Sequence, residues 1–513
     1  MSNHETIIII DYGSQYTQLI TRRIREANVY SEVYPHAIDI SAIENINLKG
    51  IILSGSPMSV YDDDAPELNP ALLDMNVPIL GICYGLQLLC LNYGGKVEKT
   101  KNREYGKAKL HILSNNSLFK DVKNNSTVWM SHGDVLSELP DEFERIGESD
   151  HSPVCAISNG NKLVYGVQFH PEVVHTEEGT KIINNYLFNI CKCKADWTPK
   201  NFIDEQIKKI KKTIGDNKAL CGLSGGVDST VAAILVKKAI GDNLISIHID
   251  NGLMRKDESA NIGKLFDDNL KLNHIYIDAS EKFLSALKGI TDPEQKRKII
   301  GKIFIEVFEE ESKKIKDAKF LVQGTLYPDV IESVSVKGAS ATIKTHHNVG
   351  GLPEKMNLIL IEPFRELFKD EVRTIGRELN IPEKFIDRHP FPGPGLAVRV
   401  PGEVTKTKLD ILREADDIFI TAIEEENLYN KIWQAFTVLL PVSTVGVMGD
   451  FRTYEYVLSL RAVTSVDGMT ADWYPFEHKF LTDISNKLIN TVRGINRVVY
   501  DISSKPPATI EWE

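Results

Sequence analysis

Gly81, Cys83 and Gly85 form a G-x-C-x-G pattern between a short apolar run, Val77–Gly81, and a helix-length run that ends at Gly94. Small residues on both sides of a cysteine allow a tight turn between strand and helix that exposes the side chain. A thiol at a helix N-terminus is favoured as the thiolate, and free N–H groups there can hold an oxyanion. The pattern predicts that Cys83 is a nucleophile.

A histidine and a carboxylate follow a second apolar run, in the segment His170-Pro171-Glu172. Proline disfavours the helical conformation of the residue before it, and in an extended chain residues i and i+2 lie on the same side. Glu172 can therefore orient the imidazole of His170. Together with Cys83 they predict a nucleophile, a base and an orienting group. Without Cys83, a surface turn with unrelated side chains is the better interpretation.

A glycine-rich turn, Ser224–Thr230 (SGGVDST), lies between the apolar run Ala219–Leu223 and the helical run Val231–Ile240. Such a turn points main-chain N–H groups at an anion, and the helix dipole assists. The chain has no GxxxxGK[ST] motif, so it gives no support for a P-loop that transfers a γ-phosphate. Asp228 is equally compatible with a Mg²⁺ or phosphate-network role and with a plain position in the first helical turn.

These residues depend on short buried strands to position them. Helix-length segments separate the apolar runs, which are Thr6–Asp11, Gly50–Leu53, Val77–Gly81, Lys162–Phe169, Ala219–Leu223, Leu244–Asp250, His274–Asp278 and Phe320–Gln323. This rhythm predicts an α/β fold with two doubly wound, mostly parallel sheets.

Two breaks in the rhythm predict domain boundaries. Cys193–Asn201 combines charge, tryptophan and proline, and the segment after Arg388 is rich in proline and glycine. Beyond it, an acidic helical stretch at Lys408–Glu426 alternates with short apolar runs, which is typical of a smaller α+β domain. The predicted domains are residues 1–196, 197–388 and 389–513.

The composition is that of a globular chain. It has 513 residues, 42% hydrophobic and 26% charged, with a formal net charge of −11. The acidic balance argues against nonspecific binding to nucleic acid or anionic membrane. With no leader pattern and no membrane-length apolar run, we expect a cytoplasmic protein. Six cysteines without a CxxC pair indicate reduced thiols rather than disulfides or a structural zinc site.

Five segments of the first predicted domain resemble the class I (triad) glutamine amidotransferases. They are Asp11–Tyr16 (DYGSQY), Ser54–Pro57 (SGSP), Gly81–Gln87 (GICYGLQ), Ser131–Asp134 (SHGD) and Gly166–Glu172 (GVQFHPE). The resemblance implies that Cys83 attacks the glutamine carboxamide and releases ammonia, and that water hydrolyses the glutamyl thioester.

The same resemblance implies further site residues. The main-chain N–H groups of Ser56 and Tyr84 would form the oxyanion hole, and glutamine would be held by Gly55, Gln87, Ser131, His132 and Gly133. Ser56 stands where glycine is usual in the family. If the active loop needs a positive φ, serine adds strain there, and the glutaminase activity of the free enzyme would be low.

The segment SGGVDS resembles the signature of the N-type ATP pyrophosphatases. By that resemblance the loop grips the β,γ-pyrophosphate of ATP while a substrate attacks the α-phosphate and becomes adenylated. The implied cofactor is Mg²⁺ with ATP, without an organic prosthetic group. The implied ATP-binding residues are Ser224, Gly225, Gly226, Val227, Asp228, Ser229 and Thr230, with Asp228 as the candidate Mg²⁺ ligand.

Longer motifs, among them Gln323–Asp329 (QGTLYPD), Arg388–Gly395 (RHPFPGPG) and Lys505–Glu513 (KPPATIEWE), resemble the glutamine-hydrolysing GMP synthetases over essentially the whole chain. That family adenylates XMP at O2 and replaces the adenylate with ammonia, giving GMP, AMP and pyrophosphate. Its C-terminal domain also pairs two subunits, so the implied protein is a homodimer. The implied XMP-binding residues are Arg297, Gln434, Asp450, Arg452, Lys505 and Glu511.

The stretch Glu332–Pro353 is long enough for a lid, in which Lys344 would contact the nucleotide. Because ammonia must reach a second site, we expect glutamine hydrolysis to rise when XMP and ATP are bound. Two other interpretations stay open. One is an adenylating amidotransferase acting on another acceptor, such as a carboxylate or a tRNA base. The other is a nucleotide-binding regulatory protein without catalysis.

Overall fold

The computed structural model describes residues 4–264, 266, 270–327, 330, 358–448, 451–465 and 470–513. The chain forms two compact units that divide between Phe202 and Ile203, within helix α4 (Pro199–Ile214). Among the described helices, none has the length and apolar character needed to cross a membrane.

The first unit is built on one nine-stranded sheet. Its strands are β1 (Thr6–Asp11), β2 (Tyr30–Pro35), β3 (Leu48–Leu53), β4 (Ile79–Ile82), β5 (Lys96–Ile112), β6 (Ser126–Glu138), β7 (Glu144–Glu148), β8 (Ala156–Asn159) and β9 (Val164–Val167). Its helices before α4 are α1 (Thr17–Glu26), α2 (Tyr84–Asn92) and α3 (Gly179–Asn184), the last followed by a π-helical segment, Asn185–Ile190.

The strand order is β2-β1-β3-β4-β9-β8-β7-β5-β6. Pairs from β2 to β9 are parallel, and those from β9 to β6 are antiparallel. The parallel strands are buried on both faces, as their continuous apolar runs predict. The antiparallel half differs from the predicted mostly parallel sheet. There β6 alternates buried and half-buried residues, which is the pattern typical of an antiparallel sheet with one solvated face.

The second unit contains a five-stranded parallel sheet in the order β12-β11-β10-β13-β14. Its strands are β10 (Lys218–Gly222), β11 (Leu244–Asp250), β12 (His274–Asp278), β13 (Ala318–Val322) and β14 (Ile359–Ile361). The helices around it are α5 (Val227–Ile240), α6 (Glu258–Lys264), α7 (Ser280–Leu287), α8 (Pro293–Ser312), α9 (Lys369–Glu378) and α10 (Glu383–Ile386). Strand order reverses at β10, and ligands of open α/β sheets bind at such a point.

A four-stranded sheet completes the second unit, with strands β15 (Gln434–Met448), β16 (Phe451–Thr464), β17 (Asp472–Trp473) and β18 (Ile495–Tyr500) and helices α11 (Lys406–Glu425) and α12 (His478–Thr491). Strand β16 pairs antiparallel with β15 and β17 and parallel with β18. One apolar core runs from β10 and α8 through α11 and α12. The α/β class is therefore confirmed.

Candidate active sites

Cys83 occupies a strained turn between β4 and α2, with φ 55° and ψ −105°. Close packing explains the flanking glycines. A Cβ at Gly81 would lie 2.6 Å from the main-chain carbon of Gly85, and a Cβ at Gly85 would collide with the main-chain oxygen of Leu53. The Cys83 N–H donates to the Val167 carbonyl of β9 at 2.8 Å. The turn therefore holds the thiol at the N-terminus of α2, as its spacing predicts.

His170 and Glu172 follow β9, the parallel neighbour of β4, so they lie at the same sheet edge as Cys83. His170 Nδ1 lies 2.7 Å from Glu172 Oε1, and both side chains are buried. The Thr176 hydroxyl donates to the His170 carbonyl at 2.6 Å, and the Tyr16 ring packs edge-on against the imidazole at 5.0 Å. The structure thus brings the three predicted catalytic residues together.

The electrostatics of His170 favour its charged form. Burial lowers the pKa of His170, but the Glu172 carboxylate and the hydrogen-bonded Cys83 raise it more, so this pKa lies well above its ordinary value. A protonated imidazole beside the sulfur can deliver a proton to a leaving nitrogen. The arrangement suits displacement of ammonia from a carboxamide.

Amide and main-chain groups surround the sulfur. Gln168 Nε2 donates to Cys83 Sγ at 3.6 Å, and the thiol lies 3.7 Å from the Ser131 carbonyl oxygen. Gln87 Nε2 donates to the Asp134 carbonyl at 3.2 Å and reaches Gln168 Oε1 at 3.5 Å. Strand β6, which contains Ser131, His132 and Gly133, therefore lies beside the nucleophile.

The two predicted oxyanion residues flank the same site. Tyr84 is the first residue of α2, and a Cβ at Gly55 would lie 3.2 Å from His170 Cε1. Ser56 does not have a positive φ, and its hydroxyl accepts from the Met58 N–H at 3.2 Å. The strain expected from serine at this position is therefore absent here, which removes the physical reason for expecting a low glutaminase activity.

The glycine-rich loop lies at the carboxyl end of the central strand β10, and α5 begins at Val227. Gly225 has φ +77°. The Ser224 and Ser229 hydroxyls lie 3.1 Å apart, and Thr230 Oγ1 donates to the Gly226 carbonyl at 2.9 Å. The loop thus presents main-chain groups at the switch point of the sheet, where the sequence predicts a phosphate.

A positively charged side chain from another segment of the chain binds this loop. Arg388 Nη1 donates to the Gly225 carbonyl at 2.7 Å, and its Nη2 pairs with the Glu258 carboxylate. Glu258 also accepts from the Arg255 N–H at 3.0 Å. Within the loop itself, Asp228 Oδ2 lies 3.6 Å from Lys369 Nζ.

Part of the predicted XMP set forms one cluster at the end of the chain. Gln434 Nε2 donates to Glu511 Oε1 at 2.6 Å, and the fully buried Arg399 binds both oxygens of Glu511, at 2.9 and 3.2 Å. Arg297 Nη2 donates to the main-chain oxygen of Glu513 at 2.5 Å. Lys505 lies in the same C-terminal tail, and its main chain forms an isolated β-bridge with Ala471.

The remaining predicted residues are not part of this cluster. Arg452 lies at the far end of the β15–β16 hairpin, nine positions from Arg461 of β16, whose guanidinium binds the tail carbonyls of Ser503 and Thr509. Nine strand residues span roughly 30 Å. Asp450, Lys344 and the predicted lid lie outside the described residues.

Four residues that line or support these sites were not predicted to have a role: Glu104, which faces His132 across strands β5 and β6, and Gln168, Arg388 and Arg399. Gln168 and Arg388 lie within the motifs GVQFHPE and RHPFPGPG, and this position is a usable signal. The sequence gives no such signal for Glu104 and Arg399, because the role of a buried charged residue becomes visible only when the fold shows its partner. Glu511, the partner of Arg399, lies 112 positions away along the chain.

Three stretches match known families. Residues 8–190 match the class-I glutamine amidotransferases, 199–301 the NAD synthases and 421–512 the C-terminal domain of GMP synthases. An amidotransferase domain followed by an ATP pyrophosphatase domain defines a ligase that takes nitrogen from glutamine.

Full-length relatives identify the family within that class. The chain is 57% identical to the glutamine-hydrolysing GMP synthase of Brachyspira hyodysenteriae, with 100% of each chain covered, and 58% identical to that of Chlorobaculum tepidum, with 99% of each covered. The crystal structure of a GMP synthase subunit from Thermoplasma acidophilum is 32% identical, covers 37% of this chain and 96% of its own, and has a TM-score of 0.33. The chain belongs to the glutamine-hydrolysing GMP synthase family.

Proposed function

We propose that this protein converts XMP to GMP, with ATP as the activating reagent and glutamine as the nitrogen donor. The observation that carries the proposal is the presence in one chain of two complementary sites. The Cys83–His170–Glu172 cluster suits ammonia release, and the Ser224–Thr230 loop suits ATP. The two sites match the two halves of an amination by glutamine.

In the first half, the sulfur of Cys83 attacks the carboxamide carbon of glutamine. The main-chain N–H groups of Ser56 and Tyr84 stabilise the oxyanion, and His170, held by Glu172, gives its proton to the departing nitrogen. Ammonia leaves, and a glutamyl thioester remains on Cys83. Water, deprotonated by His170, then hydrolyses the thioester to glutamate and restores the cysteine.

In the second half, O2 of XMP attacks the α-phosphate of ATP, and pyrophosphate leaves from the Ser224–Thr230 loop. Ammonia then displaces AMP from C2 and loses a proton, which gives GMP. The main-chain N–H groups of the loop hold the departing pyrophosphate, and Arg388 keeps the loop in position through the Gly225 carbonyl. AMP and GMP are therefore formed in equal amounts.

ATP enters as its Mg²⁺ complex. The Asp228 carboxylate and the neighbouring hydroxyls of Ser224 and Ser229 are hard oxygen donors, which fit Mg²⁺ together with phosphate oxygens. We assign Asp228 as the protein ligand. Its place in the first turn of α5 also agrees with the purely helical interpretation. Bound Mg²⁺ would supply neutralisation of the phosphate charge.

For XMP, the cluster around Gln434 and Glu511 is the proposed site for the base or ribose. Lys505 and Arg452 are assigned to the phosphate, since Arg offers a fork and Lys a point charge. Because Arg452 lies roughly 30 Å along β16 from the tail cluster, we assign it to the site of a second copy of the chain.

An exposed apolar strip supports this homodimer. Register pairs Val445 with Tyr454 and Val447 with Arg452, so these four side chains share one face of the hairpin. Val447 is 77% exposed and Tyr454 63%. Exposed apolar patches of this kind mark interaction sites, and a strip of one hairpin can pair with its own copy across a two-fold axis.

The division of labour follows the predicted domains. Residues 1–196 would hydrolyse glutamine, 197–388 would bind ATP and adenylate XMP, and 389–513 would bind XMP and pair two subunits. Lys344 of the predicted lid would contact the nucleotide. All six cysteines are buried free thiols, which agrees with a cytoplasmic protein.

Isotope transfer tests the activation step. XMP labelled with ¹⁸O at O2 is converted with ATP, Mg²⁺ and ammonium, and the AMP formed is analysed by mass spectrometry. We expect one ¹⁸O atom per AMP, because the C2–O2 bond breaks while the O2–phosphorus bond persists. Unlabelled AMP would refute adenylation of XMP and favour another acceptor.

A further inference from the structure

A buried carboxylate lies behind the glutamine site. Strands β5 and β6 pair so that Glu104 faces His132 directly across the sheet, and both side chains are almost fully buried. Glu104 accepts hydrogen bonds from the Ser149 hydroxyl at 3.0 Å and the Ser152 hydroxyl at 2.9 Å. His132 Nε2 lies 3.4 Å from Glu104 Oε2. An ionised carboxylate survives burial only with such partners.

The opposite nitrogen of the His132 ring is also engaged. Nδ1 lies 3.0 Å from the Asp134 carbonyl oxygen, which can only accept a hydrogen bond, so Nδ1 carries a proton. Nε2 faces the Glu104 carboxylate. Burial raises the pKa of Glu104, but the adjacent His132 ring and the hydrogen bonds from Ser152 and Ser149 lower it further, so its pKa lies below its ordinary value. The ring therefore lies between the Asp134 carbonyl and the Glu104 carboxylate.

The position of the His132 ring affects the segment Ser131–Asp134. This segment contacts the residues on both other sides of the glutamine site. The Ser131 carbonyl lies 3.7 Å from the Cys83 sulfur. The Asp134 carbonyl accepts from Gln87 of α2, and its carboxylate accepts from the Ser59 hydroxyl at 2.6 Å, three residues after Ser56. A shift of this segment would move the surface on which glutamine is to be held.

We propose that Glu104 is a positioning residue of the glutamine site, acting through His132 on the segment Ser131–Asp134. This inference rests on the proposed glutaminase function. Glu104 lies behind His132 and is assigned no contact with substrate. Its removal should therefore impair glutamine recognition while leaving the Cys83–His170 pair intact.

The test compares Glu104→Gln with Glu98→Gln, an exposed carboxylate on the same strand. Glutaminase KM and kcat are measured, together with inactivation by iodoacetamide and by a chloroketone analogue of glutamine. For Glu104→Gln we expect the glutamine KM to rise about tenfold or more and chloroketone inactivation to slow by about the same factor, since a hydrogen bond to a charged group is lost. We expect kcat, iodoacetamide inactivation and ammonium-dependent synthesis to change less than about twofold.

An unchanged KM, or an equal loss in all five readouts, would overturn the positioning role. If Glu104→Gln does not fold, Ser152→Ala removes one donor to the carboxylate and should still raise KM about threefold at constant kcat. No change there would also overturn the inference. Wild-type protein that hydrolyses no glutamine would instead refute the proposed function itself.

Discussion

At the scale of single residues, the backbone of Cys83 adopts a strained conformation that places its sulfur at the start of α2. The pKa of the neighbouring His170 lies well above its ordinary value, because Glu172 and Cys83 together outweigh the effect of burial. Neither property depends on the second unit of the chain. The thiol should therefore be needed for one nitrogen source and not for the other.

Replacing Cys83 with alanine should abolish GMP synthesis from glutamine and leave synthesis from ammonium within about twofold of wild type, because ammonium bypasses the nucleophile. The matched control is Cys90→Ala, two turns further along α2, whose burial raises the pKa of its thiol to about 11. It should retain both activities. Loss of the ammonium-dependent activity in Cys83→Ala would show that the two sites are not separate.

The contacts that follow from local chain geometry alone are those between residues close in sequence. His170 and Glu172 are two positions apart, and their contact follows from an extended chain. Glu104 and Arg399 could not be predicted, since their partners are set by strand register and by the return of the tail. The proposed role of Arg452 in a second copy illustrates the same limit, because a motif does not show which copy of the chain a side chain would serve.

At the scale of elements, the parallel strands were predictable because double burial requires uninterrupted apolar runs, as in β1 and β11. The antiparallel half of the first sheet was not predictable, since β5 is long and polar. An irregularity opposite Asp134 and His132 also interrupts this strand. The loop after β10 was predicted by its glycines. The hydrogen bond by which Arg388 supports this loop was not predicted.

Arg388→Met should raise the KM for ATP about tenfold, because the Gly225 carbonyl loses a charged donor and the loop loses its position. Glutamine hydrolysis without nucleotides should be unaffected. The control Arg377→Met removes an exposed arginine that pairs with Glu383 of α10 and with Asp387, which directly follows that helix, and it should leave the KM for ATP unchanged. Equal KM values for the two variants would contradict the assigned role.

The junction between the two sheets of the second unit should be sensitive to acid. Burial lowers the pKa of His389 to about 4, while its ring stacks on Tyr429 at 3.8 Å and its Nδ1 accepts from the Ala435 N–H. The unfolded chain, with a pKa near 6.5, binds the proton more readily. Stability is thus fully present above about pH 6.5 and falls towards pH 4, by up to about 3 kcal/mol.

Urea unfolding at pH 7 and pH 5 checks this dependence. His389→Asn should show a smaller loss of unfolding free energy between these pH values than wild type. The exposed His478→Asn on α12 should behave like wild type. An unchanged pH dependence in His389→Asn would contradict the assignment.

At the scale of the whole molecule, a chain with a net charge of −11 must gather local cations to bind a nucleotide. Arg452 lies on an exposed apolar strip, away from the tail cluster that holds Glu511. A site completed by a second copy reconciles these positions. It also predicts that two inactive variants regain activity when they are mixed and form hybrid dimers.

Arg452→Ala and Glu511→Ala should each be inactive in GMP synthesis. Mixed in equal amounts after dissociation and reassociation, they should recover about a quarter of wild-type activity, because half the dimers are hybrids and each hybrid has one intact site. Val447→Lys, which charges the strip, should give monomers in analytical ultracentrifugation. No recovery on mixing would place Arg452 outside the XMP site of the partner.

Product analysis tests the central claim most directly. The protein is incubated with XMP, ATP and Mg²⁺, once with glutamine and once with ammonium, and the nucleotides are separated by chromatography. The account predicts GMP and AMP in equal amounts from both mixtures. Consumption of ATP with XMP left unchanged would contradict it.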